Sequence, residues 1–190
     1  VVIIPVYKTE EELGIIQKYI ETTYKSLKSN GISVLFDKRD TYKPGYKFNE
    51  YEMKGVPIRL VVGPKDIENS TVEIFRRDKM EKEVINFSDL ENKIDYLLID
   101  IQKFLFDKAK QFTKINTRKA DTFEEFKELI NNKGGFVSAH WDGTRESEEK
   151  IKRETKATIR LIPFEELNEK GKCIYSNNPS NQRVLFAKAY

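Results

Sequence analysis

The sequence has few of the residues that mark secreted or catalytic proteins. It contains one cysteine, Cys173, and one histidine, His140, among 190 residues. A single cysteine excludes an internal disulfide framework and is typical of a reducing compartment, so we expect a cytoplasmic protein. His140 has no evident acid-base partner, and the sequence lacks a Gly-rich phosphate loop, a zincin motif and a nucleophile elbow. We therefore expect no catalytic residues in this chain.

Long apolar runs are also missing. The opening run, VVIIPVY, is far shorter than the roughly 20 residues of a membrane-spanning helix, and it has neither a basic leader nor a cleavage site. We therefore expect no membrane contact. A chain that opens directly on a strand-like run instead indicates a fragment of a longer protein.

Charge is abundant but almost balanced, with 34 Lys and Arg against 31 Asp and Glu, a net charge of +3 and a mean hydropathy of -0.62. Scattered Lys and Glu residues most often form a solvated surface. A local nucleic-acid footprint stays open at residues 38–77, where basic residues meet aromatic ones. The length and the 38% hydrophobic content allow one large domain or two small ones, and we favour two.

The first half of the chain has the periodicity of an α/β domain. The β-branched run at residues 1–7 predicts a central strand, and Thr9 with Glu12 forms a capping box that opens a helix. A strand at residues 32–36 follows, so a right-handed crossover makes the first two strands parallel. The sequence predicts a five-stranded mixed sheet with flanking helices. Its remaining elements are a helix at 47–54, a strand at 58–62, a tight turn at 63–66, and strands at 72–77 (antiparallel to 58–62) and 83–87.

The second half predicts a long helix and then a small α+β domain. Ser88 and Glu91 form another capping box, followed by apolar residues at helical spacing, from Leu90 to Leu105 and Phe112. A polar link at residues 113–120 predicts domains at 1–112 and 113–190. The second domain is predicted to contain a helix capped by Thr122, strands at 136–141, 157–162 and 182–188, a charged helix at 144–155, and a polar loop at 168–181.

Several uncommon strings carry a resemblance to one family. PGYKFNEYEMKGVPIRLVVGPKDIE followed by RRD is similar to the anticodon-binding domain of prolyl-tRNA synthetase, in the form shared by archaea, eukaryotes and some bacteria. GGFVSAHWDG, KATIRLIPF and the terminal FAKAY resemble the family's C-terminal domain. The likeness spans essentially the whole chain. It implies a class IIa anticodon-binding fold followed by a small α+β domain.

Charged residues at the chain breaks form the candidate site, because ligands of α/β sheets gather beyond the carboxyl ends of the strands. Reading a base requires planar donors for guanine and carboxylate acceptors for amino or imino groups. Glu52, Arg59, Lys65 and Asp66 supply both kinds. The resemblance implies that these four match the positions that read the two guanines of proline anticodons. We expect phosphate contacts instead from Lys47, Arg76 and Arg77.

Aromatic residues interleave with these charges. Tyr42, Tyr46, Phe48 and Tyr51 are of the type that stacks on unpaired bases. Short amphipathic helices also bury aromatic side chains routinely, and we favour burial for each of them.

The resemblance has further implications for a parent enzyme. It would be a homodimeric proline-tRNA ligase that uses ATP and Mg²⁺, with tRNA(Pro) as substrate. This chain shows no ATP-binding part, so it would be inactive without its catalytic domain. The C-terminal Tyr190 would pack toward that domain's active site.

Many family members bind zinc through two cysteine pairs in the second domain. The matching positions here are Asp142, Ser147, Cys173 and Ser176, which leave one thiolate. Serine hydroxyls bind zinc weakly, so we expect no metal and no other cofactor in this chain. Hydrogen bonds of Asp142 with Ser147 or Ser176 would then replace the metal bonds, over an apolar core that includes Trp141, Ile159, Leu161, Phe164 and Val184.

Two alternatives stay open on the sequence. One is a stand-alone tRNA-binding or RNA-binding module with the same fold, and the other is a protein-interaction module. The second predicts no salt-dependent binding of tRNA.

Overall fold

The computed structural model describes residues 1–164 and 169–189. The chain divides into two compact units, residues 1–107 and 108–190, and the division lies inside the long helix α4 (Leu90–Ile115). The first unit is a mixed α/β domain with a five-stranded sheet and helices beside it, as the sequence predicts.

The first sheet has the strand order β2-β1-β3-β4-β5. β1 lies between β2 and β3 and runs parallel to both, which confirms the predicted central strand. β4 runs antiparallel to β3 and to β5. The elements are β1 (Val2–Pro5), α1 (Glu10–Ser29), β2 (Leu35–Phe36), α2 (Pro44–Met53), β3 (Ile58–Val62), α3 (Pro64–Asn69), β4 (Thr71–Arg76) and β5 (Glu81–Asn86).

Alternation along the strands gives the sheet two different faces. One face packs against the apolar stripes of α1 and α4, and this core includes Ile16, Leu60 and Ile94. The other face is partly covered by α2, whose Tyr51 packs with Val2 and Ile4. We refer to this second face, which also carries Arg59 and Phe75, as the α2 face.

Three details of the first unit differ from the sequence predictions. The predicted turn at residues 63–66 opens a six-residue helix, α3, because Gly63 is extended and Pro64 starts the helix. The predicted capping box of Ser88 does not form, since a 3₁₀ turn, Phe87–Asp89, precedes α4. The apolar stripe of α4 is buried only as far as Ile101, whereas Leu105 and Phe112 are exposed.

The second unit contains a four-stranded sheet in the order β6-β7-β11-β8. Phe126, Ile151, Val184 and Phe186 form its core, with Trp141 and Ile159 partly buried beside them. Leu161 and Phe164 are exposed, which corrects their assignment to the core. The elements are β6 (Thr117–Lys119), α5 (Phe123–Glu128) continued by a π turn (Leu129–Lys133), β7 (Phe136–His140), α6 (Arg145–Thr155), β8 (Ala157–Leu161), β9 (Gly171–Lys172), β10 (Pro179–Ser180) and β11 (Arg183–Lys188).

The segment predicted as a polar link is structured. α4 extends to Ile115, and β6 pairs parallel with β7. Thr122 caps α5 through a capping box with Glu125, as the sequence indicates.

Candidate nucleic-acid interface

Glu52 and Arg59 form an ion pair on the α2 face. Glu52 belongs to the last turn of α2, and two residues after the helix Gly55 has a φ of 77°, a conformation that favours glycine. The chain then enters β3, and the Glu52 Oε1 lies 2.6 Å from Nη1 of Arg59. The Arg59 guanidinium also packs on the rings of Phe48 and Phe75, at 4.0 and 4.1 Å from their centroids. The structure therefore brings together a planar donor and a carboxylate acceptor from the predicted set.

Arg59 is 7% exposed, and its three guanidinium nitrogens have different environments. Nη1 donates to Glu52, while Nε is buried without a hydrogen-bond partner. Nη2 has no partner among the described residues either, but it is not buried. The Nη2 group of Arg59 and part of the Glu52 carboxylate therefore remain available to a ligand.

Lys65 and Asp66 lie beyond the carboxyl end of β3. Asp66 is the third residue of α3, and its Oδ2 accepts a hydrogen bond from the Gly63 amide at 2.8 Å. Lys65 is exposed, and its Nζ has no ion-pair or hydrogen-bond partner in the described part of the chain. Both residues line a cleft of about 490 Å³ together with Val6, Tyr7 and Val61. Val61 is on the same face of β3 as Arg59, while Glu12 of α1 also lines the cleft, so the cleft lies at the carboxyl edge of the sheet.

Lys47 does not have the position that a phosphate contact needs, and this prediction was wrong. The side chain is 2% exposed. Its Nζ donates to the carbonyl oxygen of Asp37 at 3.0 Å and lies 3.7 Å from Oδ1 of the same residue. The lysine therefore connects α2 to the end of β2 inside the unit.

The Asp37 carboxylate also accepts hydrogen bonds from other residues. Burial alone would raise its pKa, but the Arg39 side chain and amide and the Tyr51 hydroxyl all donate to the carboxylate, and these bonds with the Lys47 charge lower its pKa to about 2. Arg39 also pairs with Glu50. Asp37, Arg39 and Glu50 thus satisfy one another without a ligand.

Arg76 is also unsuited to a phosphate contact, contrary to prediction. It is paired with Asp78 and with Asp100 of α4, at 2.7 and 2.8 Å, on the face opposite the α2 face. The hydrogen bond from Arg76 lowers the pKa of Asp78. Arg77 is exposed, and its Nε donates to the backbone carbonyl of Glu52 at 2.8 Å. Of the three predicted phosphate contacts, Arg77 alone is exposed and lies next to the Glu52–Arg59 pair.

The four aromatic candidates divide into two pairs. Tyr51 is 5% exposed, and Phe48 packs on Arg59, so both have internal contacts, as favoured from the sequence. Tyr42 and Tyr46 are exposed, which corrects the burial favoured for these two, and they stack on each other with their ring centroids 4.4 Å apart.

In the second unit, Asp142 is the centre of a hydrogen-bond cluster at the positions that the resemblance matches to zinc-binding cysteines. Burial alone would raise its pKa, but hydrogen bonds from Ser147, Ser176 and Thr144 lower it well below the ordinary value. The Ser147 and Ser176 hydroxyls each donate at 2.6 Å, one to each carboxylate oxygen. Cys173 is fully buried. In residues 1–164 and 169–189 no group of His, Cys, Asp and Glu side chains is arranged to hold a metal ion.

Tyr190 lies outside the described residues. No helix within the described ranges combines the length and apolar character needed to cross a bilayer.

The sequence predictions missed Asp37 and Phe75. Asp37 is absent from the predicted site residues, because the donors around it come from residues 2 to 14 positions further along the chain. Phe75 lies directly opposite Arg59 in the β3–β4 pair. Val72 and Ile74 belong to the buried core, so strand alternation places Phe75 on the other face of the sheet. This alternation is the signal that the sequence offers for Phe75.

Comparison with known families agrees with this geometry. Residues 1–97 match the family model described as anticodon binding domain, and residues 123–190 match the one described as prolyl-tRNA synthetase, C-terminal. The chain therefore belongs to the anticodon-binding domain family.

Its relatives narrow this class further. All 190 residues align with the proline-tRNA ligases of Christiangramia forsetii, at 51% identity, and Flavobacterium johnsoniae, at 50% identity. The same holds for the enzyme of Porphyromonas gingivalis, at 51% identity. The chain spans 39%, 39% and 38% of these relatives, respectively. The resemblance to the C-terminal part of prolyl-tRNA synthetases is thus confirmed.

Proposed function

We propose that this chain reads the anticodon of tRNA(Pro) as the C-terminal part of a proline-tRNA ligase. The observation that carries the proposal is the Glu52–Arg59 pair, in which an acceptor and a planar donor are held 2.6 Å apart on a partly open sheet face. Lys65 and Asp66 provide a second donor and acceptor beyond the carboxyl end of β3. Membership of the anticodon-binding domain family supports the assignment.

The two pairs suit the edges of guanine bases. Guanine presents acceptors at N7 and O6 and donors at its imino and amino groups, so each base needs both a cation and a carboxylate. Arg59 with Glu52 meets one such set, and Lys65 with Asp66 meets another. Arg77 supplies a cation for the neighbouring phosphate, which positions the strand without specifying its sequence. Each base contact would contribute about 1–3 kcal/mol of discrimination.

Filter binding tests the proposal. The chain is titrated with tRNA(Pro) and with the same tRNA carrying substituted anticodon guanines, at several salt concentrations. We expect weak binding with a clear preference for the unaltered anticodon. Equal binding to both tRNAs would indicate a general RNA-binding module, and absence of salt-dependent binding would indicate a protein-interaction module.

The wider proposal concerns the whole protein. It would ligate proline to tRNA(Pro) with ATP and Mg²⁺ in the cytoplasm, as a homodimer, and its catalytic domain would lie outside this chain. The relatives' names and the 39% share of their length support this view. Tyr190 would face the active site of that domain, so deleting Ala189 and Tyr190 should lower aminoacylation by the whole protein without changing tRNA binding.

We also propose that the second unit folds without zinc. A structural zinc site needs four ligands of cysteine, histidine or carboxylate type in a tetrahedron. Asp142, Ser147 and Ser176 instead bond to one another, and the buried Cys173 offers a single thiol. A carboxylate that accepts two short hydroxyl hydrogen bonds would take over the role of the ion.

A further inference from the structure

Phe75 and Arg59 are direct cross-strand partners. Antiparallel pairing of β3 with β4 places residue 75 opposite residue 59, on the same face of the sheet. The Phe75 ring centroid lies 4.1 Å from Cζ of Arg59, and the Phe48 ring of α2 lies 4.0 Å from the same atom. Both distances are well within the range of a cation–π contact. The guanidinium is therefore packed on two rings that come from different elements.

This packing restricts how Arg59 can present itself to a ligand. Its Nη1 is used by Glu52, and its Nε is buried without a partner. Only Nη2 remains open, and the direction in which it points depends on the plane of the guanidinium. An arginine side chain has many rotamers in solution, so without lateral contacts that plane would be poorly defined.

Phe75 has no means of contacting a base itself. It is 8% exposed and lies beneath the guanidinium within the sheet, whereas a stacking residue must expose a ring face. Any effect of this side chain on base recognition must therefore pass through Arg59.

We propose that Phe75 is a positioning residue for base recognition, whose ring fixes the plane of the Arg59 guanidinium so that Nη2 and the Glu52 carboxylate face the same base edge. The proposal rests on the proposed function of anticodon reading. It extends that function to a residue of β4 that touches no nucleotide.

Three variants test this role in the 190-residue chain. Phe75→Leu removes the ring, Phe75→Tyr keeps it, and Phe87→Leu removes a partly buried ring that packs on Tyr19, away from Arg59. The readout is the ratio of the Kd values for guanine-substituted and unaltered tRNA(Pro). Phe75→Leu should lower this ratio about tenfold, the size of one base contact. Phe75→Tyr and Phe87→Leu should retain it.

A second measurement does not depend on RNA. In the free protein the two rings should shift the NMR resonance of the Arg59 Nε proton upfield. The N–H group should also show the restricted motion of a rigid side chain. Phe75→Leu should lessen the shift and increase the motion, and Phe87→Leu should change neither.

The outcomes distinguish failure of the positioning role from failure of the proposed function. If the unaltered chain discriminates and Phe75→Leu discriminates equally well, or loses affinity for both tRNAs alike, the positioning role is wrong while anticodon reading stands. A mobile Arg59 in the unaltered chain would also overturn it. If the unaltered chain shows no discrimination, the proposed function itself fails, and the positioning role fails with it.

Discussion

Lys47 donates its ammonium proton to the backbone carbonyl of Asp37, 3.0 Å away, in a site where both side chains are almost fully buried. This single contact joins the first turns of α2 to the end of β2. It also changes the role expected of the lysine, from an RNA contact to an internal brace. The α2 face depends on this brace, because α2 carries Phe48 and Glu52.

Replacing Lys47 should therefore lower stability rather than RNA affinity. Lys47→Met leaves a buried carbonyl without its charged donor, a loss of about 1.5–3 kcal/mol in the free energy of unfolding. Urea unfolding measures this free energy. Lys43→Met, at an exposed position of the same segment, should change the free energy of unfolding little. A stable Lys47→Met variant whose tRNA binding has a flatter salt dependence would restore the phosphate role.

Acid should weaken the first unit through Asp37. Its pKa is about 2 in the folded chain against the ordinary 3.8, so the folded state favours the ionised form. This stabilisation is present above pH 3.8 and is lost as the pH falls towards 2, because the unfolded chain binds the proton first. We expect it to contribute on the order of 2 kcal/mol at neutral pH.

A comparison with Asp37→Asn isolates this effect from that of other carboxylates. The difference in urea midpoint between the unaltered chain and the variant should be largest above pH 4 and should shrink steadily at lower pH. A difference that is constant from pH 5 to pH 2.5 would show that the Asp37 charge does not stabilise the fold.

Arg59 should control discrimination between anticodons. Arg59→Ala should lower the preference for unaltered tRNA(Pro) by about 1–3 kcal/mol. Arg59→Lys should lower this preference nearly as much, because an ammonium lacks the planar fork of a guanidinium. Arg77→Ala is the matched comparison. It should weaken binding to both tRNAs equally and flatten the salt slope by about 0.7, the value for one single-strand phosphate contact. Equal losses for both tRNAs with Arg59→Ala would assign Arg59 to phosphate.

The second unit should be insensitive to chelators but sensitive to Asp142. A strong chelator should leave its thermal unfolding unchanged, since hydrogen bonds close the cluster. Asp142→Asn should lower the free energy of unfolding by about 1–3 kcal/mol, because several hydroxyl donors lose a charged acceptor. Glu146→Gln, at an exposed acid nearby, serves as control. A collapse of the transition on chelation, or near-stoichiometric zinc by elemental analysis, would overturn the metal-free proposal.

The sequence by itself determined most of the longer elements and their order, because local signals are sufficient for those. Thr9 and Thr122 cap their helices as predicted, and the β-branched run at the start forms the central strand. Parallel pairing of β1 with β2 followed from the crossover connection. In the structure β3 is also parallel to β1, which places residues 37–40 and 63–66 at the same sheet edge. The motif strings also indicated the family and the four residues expected to read bases.

Only the tertiary structure decided which charges remain available to a ligand. The sequence does not distinguish between the three basic residues Lys47, Arg76 and Arg77. In the structure the first two are paired internally and the third is exposed. The difference arises from acceptors such as Asp100, which lies 24 positions from Arg76 and approaches it only when α4 packs on the sheet. Likewise, Phe75 lies against Arg59 because of the β3–β4 register, across a connection that contains the unpredicted helix α3. The pairing of charges and the strand register depend on contacts between distant parts of the chain, and apolar periodicity does not show which charged residues meet.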